Sequence, residues 1–297
     1  MNIKEYLQQK RDFVDSCIKK YLPKSIGYTA KLTESMSYSL MVGGKRLRPI
    51  LCIAGAEILG KDSSYVIPAA CAIEYIHTYS LIHDDLPFMD NDDLRRGQPT
   101  NHIIFGNSTA ILAGDGLLTE AFHIMSTGDY NPEVSPERKL KAISIMAHYA
   151  GYNGMVGGQE ADMKAQDCKI NNIEHVSFIH EHKTATLISA ALLSGAVLAG
   201  ASEFEEQQLK KYAYAIGLAF QIADDILDIE GDTKTLGKNV GSDITLGKAT
   251  YPSIIGLEKS KKTMKNLVME AVSSIKIFGA KAEPLRELAY YIADRKK

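Results

Sequence analysis

Two sets of aspartates carry the clearest chemical signal. Asp84-Asp85-Leu86-Pro87-Phe88-Met89-Asp90 closes a long apolar run, and Asp224-Asp225-Ile226-Leu227-Asp228 sits inside another. Pro87 cannot donate to the carbonyl of His83, so the first helix should loosen there. Asp84 and Asp90 can then turn towards one point. In the second set, Asp224 and Asp228 are four apart and share a helix face. Like charges at that spacing repel, and the flanks Phe220, Ile222, Ile226 and Ile229 are apolar, so the pair calls for a cation. Carboxylate oxygens with no cysteine beside them suit Mg²⁺, which bridges one or two carboxylates to substrate phosphates.

Cations of the opposite role are spread along the chain. Gly43-Gly44-Lys45-Arg46-Leu47-Arg48-Pro49 sets flexible glycines beside three cations at a loop-to-helix junction. Helix N-termini and arginine forks both favour phosphate. Arg95-Arg96, Lys183-Thr184 and Lys238 add separated donors of the same kind. Two acidic and four basic sets describe two diphosphates held around a metal cluster. A competing pattern is Glu74-Tyr-Ile-His77 with Glu120-Ala-Phe-His123, the ExxH spacing of di-iron carboxylate helix bundles. That site needs one inward Glu from each of two further helices, and it leaves the aspartates and the cations without a task.

The elements that must position these groups are helical. Apolar residues recur at helical spacing almost throughout, with no convincing strand alternation, which predicts an all-α bundle of about ten helices. The expected helices cover the first 22 residues, 31–42, 49–60, 64–85, 107–126, 136–167, 172–200, 203–229, 250–275 and 281–294. Gly-, Pro- and Asp-rich loops fall at 86–106, 128–136 and 230–248. None resembles an interdomain linker, so residues 1–297 read as one domain.

Bulk composition excludes several functions. With 45% hydrophobic residues the chain can bury a large core, and 34 Lys and Arg against 36 Asp and Glu leave a formal net charge of -2. That balance gives no global attraction to nucleic acid or an anionic membrane. Cys17, Cys52, Cys71 and Cys168 are scattered, as in reduced thiols, and the charged start MNIKEYLQQKRDF lacks the apolar core of a signal peptide. A cytoplasmic location is expected. The most apolar stretch, 185–201, would reach only roughly 25 Å as a helix, so a buried core helix is expected and no membrane span.

GGKRLRP, HTYSLIHDDLPFMDNDDLRRG, HKTATL, FQIADDILD and LGKATYPS, in that order and over essentially the whole chain, resemble the trans-prenyl diphosphate synthases, most closely the bacterial farnesyl diphosphate synthases, and the resemblance implies a helical bundle around a central apolar cavity. The resemblance implies head-to-tail condensation of isopentenyl diphosphate with dimethylallyl or geranyl diphosphate, with release of inorganic diphosphate, in a homodimer. It implies that Asp84 and Asp90, with Asp85 beside them, and Asp224, with Asp228, hold three Mg²⁺ ions on the allylic diphosphate. Arg95, Lys183 and Lys238 would contact that diphosphate, with Thr184 and Gln221 near the reacting carbon. Lys45, Arg48, His77 and Arg96 would hold isopentenyl diphosphate. The family usually reads Lys-Thr-Gly where Ala185 follows Thr184 here. Longer-chain synthases making geranylgeranyl diphosphate share every one of these motifs.

Product length rests on Tyr79 and Ser80. At 1.5 Å per residue, a tail lying along the helix before Asp84 meets them about 6–7.5 Å from it. Ser80 is too small to stop a chain, whereas the ring of Tyr79 can close a cavity floor. In the family resembled, a bulky aromatic there goes with farnesyl-length products.

Overall fold

The structure is a computed structural model that describes residues 1–168, 172–230 and 249–294. Helix α1 (Ile3–Tyr21) opens on Asn2, whose side chain accepts from the amides of Lys4 and Glu5, and it buries Val14, Cys17 and Ile18 on one face. It is followed by α2 (Ala30–Met41), α3 (Leu47–Glu57) and α4 (Ile67–Asp84). Helix α3 starts two residues before Pro49, which still lies in the first turn, where a missing N–H costs nothing. Helices α5 (Asn101–Phe105), α6 (Asn107–Thr127), α7 (Pro136–Ala150), α8 (Met155–Cys168) and α9 (Ile173–Ile179) come next. A π-helical turn, His180–Ala185, joins α9 directly to α10 (Thr186–Ala199). The chain continues as α11 (Glu203–Glu230), α12 (Tyr251–Ile255), α13 (Leu257–Ser274) and α14 (Glu283–Asp294).

All ten expected helices are present, but two are broken. The stretch 136–167 divides after Ala150 into α7 and α8, and 250–275 divides at Gly256, which takes a left-handed φ of 85°. Periodicity on both sides of such a break is undisturbed, so apolar spacing does not reveal it. The stretch 86–106, expected as loop, is corrected twice, by the short helix α5 and by a hairpin, whereas nearly all of the expected loop 230–248 lies outside the described residues. Strands β1 (Leu94–Arg95) and β2 (Gln98–Pro99) pair antiparallel about Arg96 and Gly97, with φ of 55° and 76°. Two successive positive φ values make the tight turn that suits a hairpin. Strands of two residues are too short to show alternation.

One cluster of buried apolar side chains extends from Val14 to Ile292. Every residue of α10 is buried, and the helix packs against α3, α7 and α11. Because α9, the π turn and α10 run on continuously, Ile173–Ala199 is long and apolar enough to cross a membrane, yet it lies inside the protein. Helix α4 is likewise buried almost all round and packs on α6. These two central helices carry residues 77–84 and lead out of the turn carrying Lys183 and Thr184.

Candidate active site

The first acidic set forms as the proline dictates. Helix α4 stops at Asp84, and the chain doubles back so that the Asp90 amide donates to the Asp84 carbonyl at 2.8 Å. Burial pushes the Asp84 carboxyl up to about 6; Lys183 opposes that rise and Asp90 adds to it. Asp85 is engaged by the hairpin that follows it. It is buried, and both of its oxygens accept from Arg95 Nε, at 2.7 and 2.9 Å, while Arg95 Nη2 lies 2.5 Å from Oδ1. This ion pair ties the hairpin to the end of α4. Arg95 is correspondingly an Asp85 partner, with Asp92 at 3.7 Å, before it is anything else.

The second acidic set stays helical. Asp224 and Asp228 are half-buried on α11, one turn apart, and Gln221 lies one turn before Asp225. Asp225 is buried and accepts the Tyr251 amide at 2.9 Å, with His180 Nε2 3.6 Å from the same oxygen. The His180 ring stacks on Tyr251 at 5.4 Å between centroids, and burial pushes its pKa down to about 4 although Asp162 pulls the other way.

Between the two sets lies the π turn, a rare element that recurs at functional sites. Lys183 Nζ donates to Asp162 Oδ2 at 2.5 Å, and its ammonium also feels Asp84 and Asp90. Burial disfavours that charge, but the three carboxylates outweigh it and hold the pKa above the usual lysine value. Helix α8 reaches the turn at Gly158, where a Cβ would stand 2.2 Å from the Lys183 nitrogen. Thr184 is buried. Ala185, the departure from Lys-Thr-Gly, fits because α11 offers Gly217 opposite; a Cβ there would lie 2.5 Å from the Ala185 methyl.

The basic residues gather around His77, about two turns before Asp84 on α4. Arg48 Nη1 lies 3.3 Å from His77 Nε2. Arginine only donates, so Nε2 accepts and the ring is neutral. Burial pushes the His77 pKa well below its usual value, and Arg48, Arg96, Arg95 and Arg46 push the same way. Arg48 is pushed down to about 10, chiefly by burial, and its Nε is buried without a hydrogen-bond partner. Arg96, exposed on the hairpin turn, donates to the Gly43 carbonyl. So many cations in one place make a site for a multiply charged anion. Lys45 is exposed and lines a separate cleft of about 200 Å³ with Leu7, Phe220 and Tyr291. Lys238 lies outside the described residues.

Tyr79 is buried, edge-on to His83 at 5.7 Å, and its phenol is pushed up to about 12 by burial and by Asp84. The Ser80 hydroxyl donates to the His77 carbonyl at 2.9 Å. The di-iron pattern fails on geometry. Glu74 is ion-paired with Arg46 at 2.7 Å, His77 faces Arg48, and His123 is exposed. Asp162 and His180 were not singled out in the sequence. Both are lone residues of ordinary helical segments, and only the fold gives them partners.

A family model described as polyprenyl synthetase matches residues 29–283. A geranylgeranyl diphosphate synthase of Cyanophora paradoxa is 47% identical over 294 residues, covering 99% of this chain and 97% of the relative. The large subunit 1 of the heterodimeric geranylgeranyl pyrophosphate synthase of Arabidopsis thaliana chloroplasts is 46% identical, over 98% of this chain and 78% of that protein. The apo crystal structure of an FPP/GFPP synthase from Zymomonas mobilis superposes with a TM-score of 0.87 at 37% identity, over 98% of this chain and 99% of the other. An all-helical fold with two aspartate sets, a lysine between them and a flanking arginine cluster defines a prenyltransferase acting on isoprenoid diphosphates. The chain belongs to the polyprenyl synthetase family, as a trans-prenyl diphosphate synthase.

Proposed function

We propose that the protein is a Mg²⁺-dependent farnesyl diphosphate synthase. The observation that carries the product length is Tyr79, a buried aromatic on α4 between one and two helical turns before Asp84. The relatives named as geranylgeranyl synthases favour the second reading, one more five-carbon unit. Incubation with dimethylallyl and isopentenyl diphosphates and Mg²⁺, then chromatography of the dephosphorylated products, decides between them. Farnesol from the wild type and a longer alcohol from Tyr79→Ala are expected. Geranylgeraniol from the wild type, or an unchanged distribution from an active Tyr79→Ala enzyme, would remove Tyr79 as the floor.

The donor set suits Mg²⁺. Asp84 and Asp90 are folded towards each other, and burial pushes the Asp84 carboxyl up to about 6, a cost to its charge that a bound cation would offset. Mg²⁺ characteristically takes one or two carboxylates and fills its remaining positions with phosphate oxygens and water. Asp84, Asp90, Asp224 and Asp228 would hold the ions. When bound, Mg²⁺ offsets the charge on the leaving diphosphate as the allylic C–O bond breaks. Lys183, kept cationic by Asp162, donates to the same diphosphate, and Thr184 and Gln221 face the reacting carbon. Arg48, Arg96 and His77 hold isopentenyl diphosphate so that its double bond meets the cation. The apolar walls of α4 and α10 exclude water, and the departing diphosphate takes the proton lost afterwards. Calorimetric titration of Mg²⁺ with an inert diphosphate analogue tests the metal independently of turnover. Iron bound stoichiometrically without prenyl product would sink the reading.

A homodimer in a reducing, cytoplasmic setting completes the proposal, supported by four free cysteines, three of them buried. Light scattering of the purified chain checks the dimer.

A further inference from the structure

Glu74 is left without a task once the di-iron pattern is set aside, and its surroundings supply one. Glu74 and His77 lie three residues apart on α4, so they project from one face. They meet two arginines that stand two apart in GGKRLRP. Arg46 Nη1 donates to Glu74 Oε1 at 2.7 Å, and Arg48 Nη1 lies 3.3 Å from His77 Nε2. Both members of the first pair are buried, with side chains 1% and 2% exposed. Arg46 grips two further elements, through Nε to Asp15 Oδ1 on α1 at 2.8 Å and through Nη2 to the Leu40 carbonyl on α2 at 2.6 Å. Its backbone takes the left-handed conformation, φ 50° and ψ 32°, immediately before α3. Three acceptors on three helices leave this guanidinium a single place. Arg48 follows two residues later in the first turn of α3, so its own placement is inherited from Arg46.

We propose that Arg46 and Glu74 are positioning residues for the non-allylic substrate: their buried pair locks the GGKRLRP loop onto α4 so that Arg48 and His77 face one diphosphate. The inference rests on the reading that isopentenyl diphosphate binds at Arg48, His77 and Arg96. Glu74 also supplies the anion that Arg48 and Arg96 feel while no diphosphate is bound. A pair that only held the fold together would act on stability and on both substrates alike. A positioning pair acts on one KM.

The decisive variant is the double substitution Arg46→Met with Glu74→Leu. It removes both charges together, which leaves no unpaired ion in the core and commonly preserves stability. Steady-state kinetics should show the KM for isopentenyl diphosphate raised about tenfold or more, since a misplacement near 1 Å is costly. The KM for the allylic substrate and kcat at saturation should stay within about threefold, with Tm close to wild type. Arg48→Ala, measured alongside, tests the underlying reading. If Arg48→Ala raises the isopentenyl diphosphate KM selectively while the folded double variant shows no rise, or an equal rise for both substrates, the positioning role is wrong. If Arg48→Ala has no selective effect, the site assignment itself falls and the inference with it. Should the double variant not fold, Asp15→Asn loosens Arg46 from the half-exposed side of the network. A rise of about threefold in that one KM is then expected, and none would overturn the proposal.

Discussion

The two aspartate pairs look alike in sequence and are built differently. In each, the second aspartate is buried and bound by the protein, Asp85 by Arg95 and Asp225 by the Tyr251 amide. In each, the first stays half-buried. The supports differ. Asp84 stands at a helix end, and its companion Asp90 is returned to it by a turn closed through one backbone bond. Asp224 and Asp228 sit in an unbroken α11, where helical geometry alone sets their spacing. Asp85 takes an opposite charge from a hairpin ten residues on, whereas Asp225 takes a backbone donor from α12, with the His180 ring nearby. The first set therefore depends on a loop and an ion pair, and the second on helix packing.

Removal of either leading aspartate should erase that difference. Asp84→Ala and Asp224→Ala are each expected to lower kcat by about 10³-fold or more while leaving the fold intact, because both act mainly in the transition state. A folded variant within tenfold of wild type would show that its motif holds no metal.

The buried second aspartates should separate the two motifs. Asp85→Ala strands Arg95 and should cost about 3 kcal/mol by denaturant unfolding, as for other broken, largely buried ion pairs. Asp225→Asn keeps an oxygen for the Tyr251 amide and should cost about 1 kcal/mol. Equal losses would mean that the two supports do not differ in kind.

The leading aspartate of the first motif also predicts a pH signature in metal-free protein. Asp84 titrates near 6 when folded and near 3.9 in an unfolded chain. Between those values the folded state holds more protons, so stability falls as pH rises from about 4 to 6 and then levels off. Relative to Asp84→Asn, the wild type should lose about 2–3 kcal/mol across that window in chelator. An unchanged difference between the two proteins would remove burial as the cause.

The smallest effect tests the seat of the second motif. Gly217 lies two turns before Asp224, and a Cβ there would stand 2.5 Å from the Ala185 methyl. Gly217→Ala should cost about 1–2 kcal/mol through overpacking, and Ala185→Gly in the same chain should recover most of it. Simple additivity of the two changes would show that they do not meet.

Much of this architecture was legible along the chain. Helix positions followed from apolar spacing, and the turn after Asp84 followed from Pro87. The shared face of Asp224 and Asp228 followed from the helical repeat. The breaks after Ala150 and at Gly256 were not legible, because periodicity resumes on the far side. Nor was the hairpin at Leu94–Pro99, whose strands are too short to alternate.

By itself, then, the sequence determined what local rules decide: which segments are helices, which aspartates share a face, and where the chain must unwind. Tertiary structure alone decided the partnerships. It gave Asp85 to Arg95, Lys183 to Asp162, Asp225 to Tyr251 and Arg46 to Glu74, over separations of 10, 21, 26 and 28 residues. A buried charge takes whichever opposite group the packing brings within reach, and the cost of leaving it unpaired makes that choice binding. Residue type announces that a partner is needed, and only the fold says which one arrives.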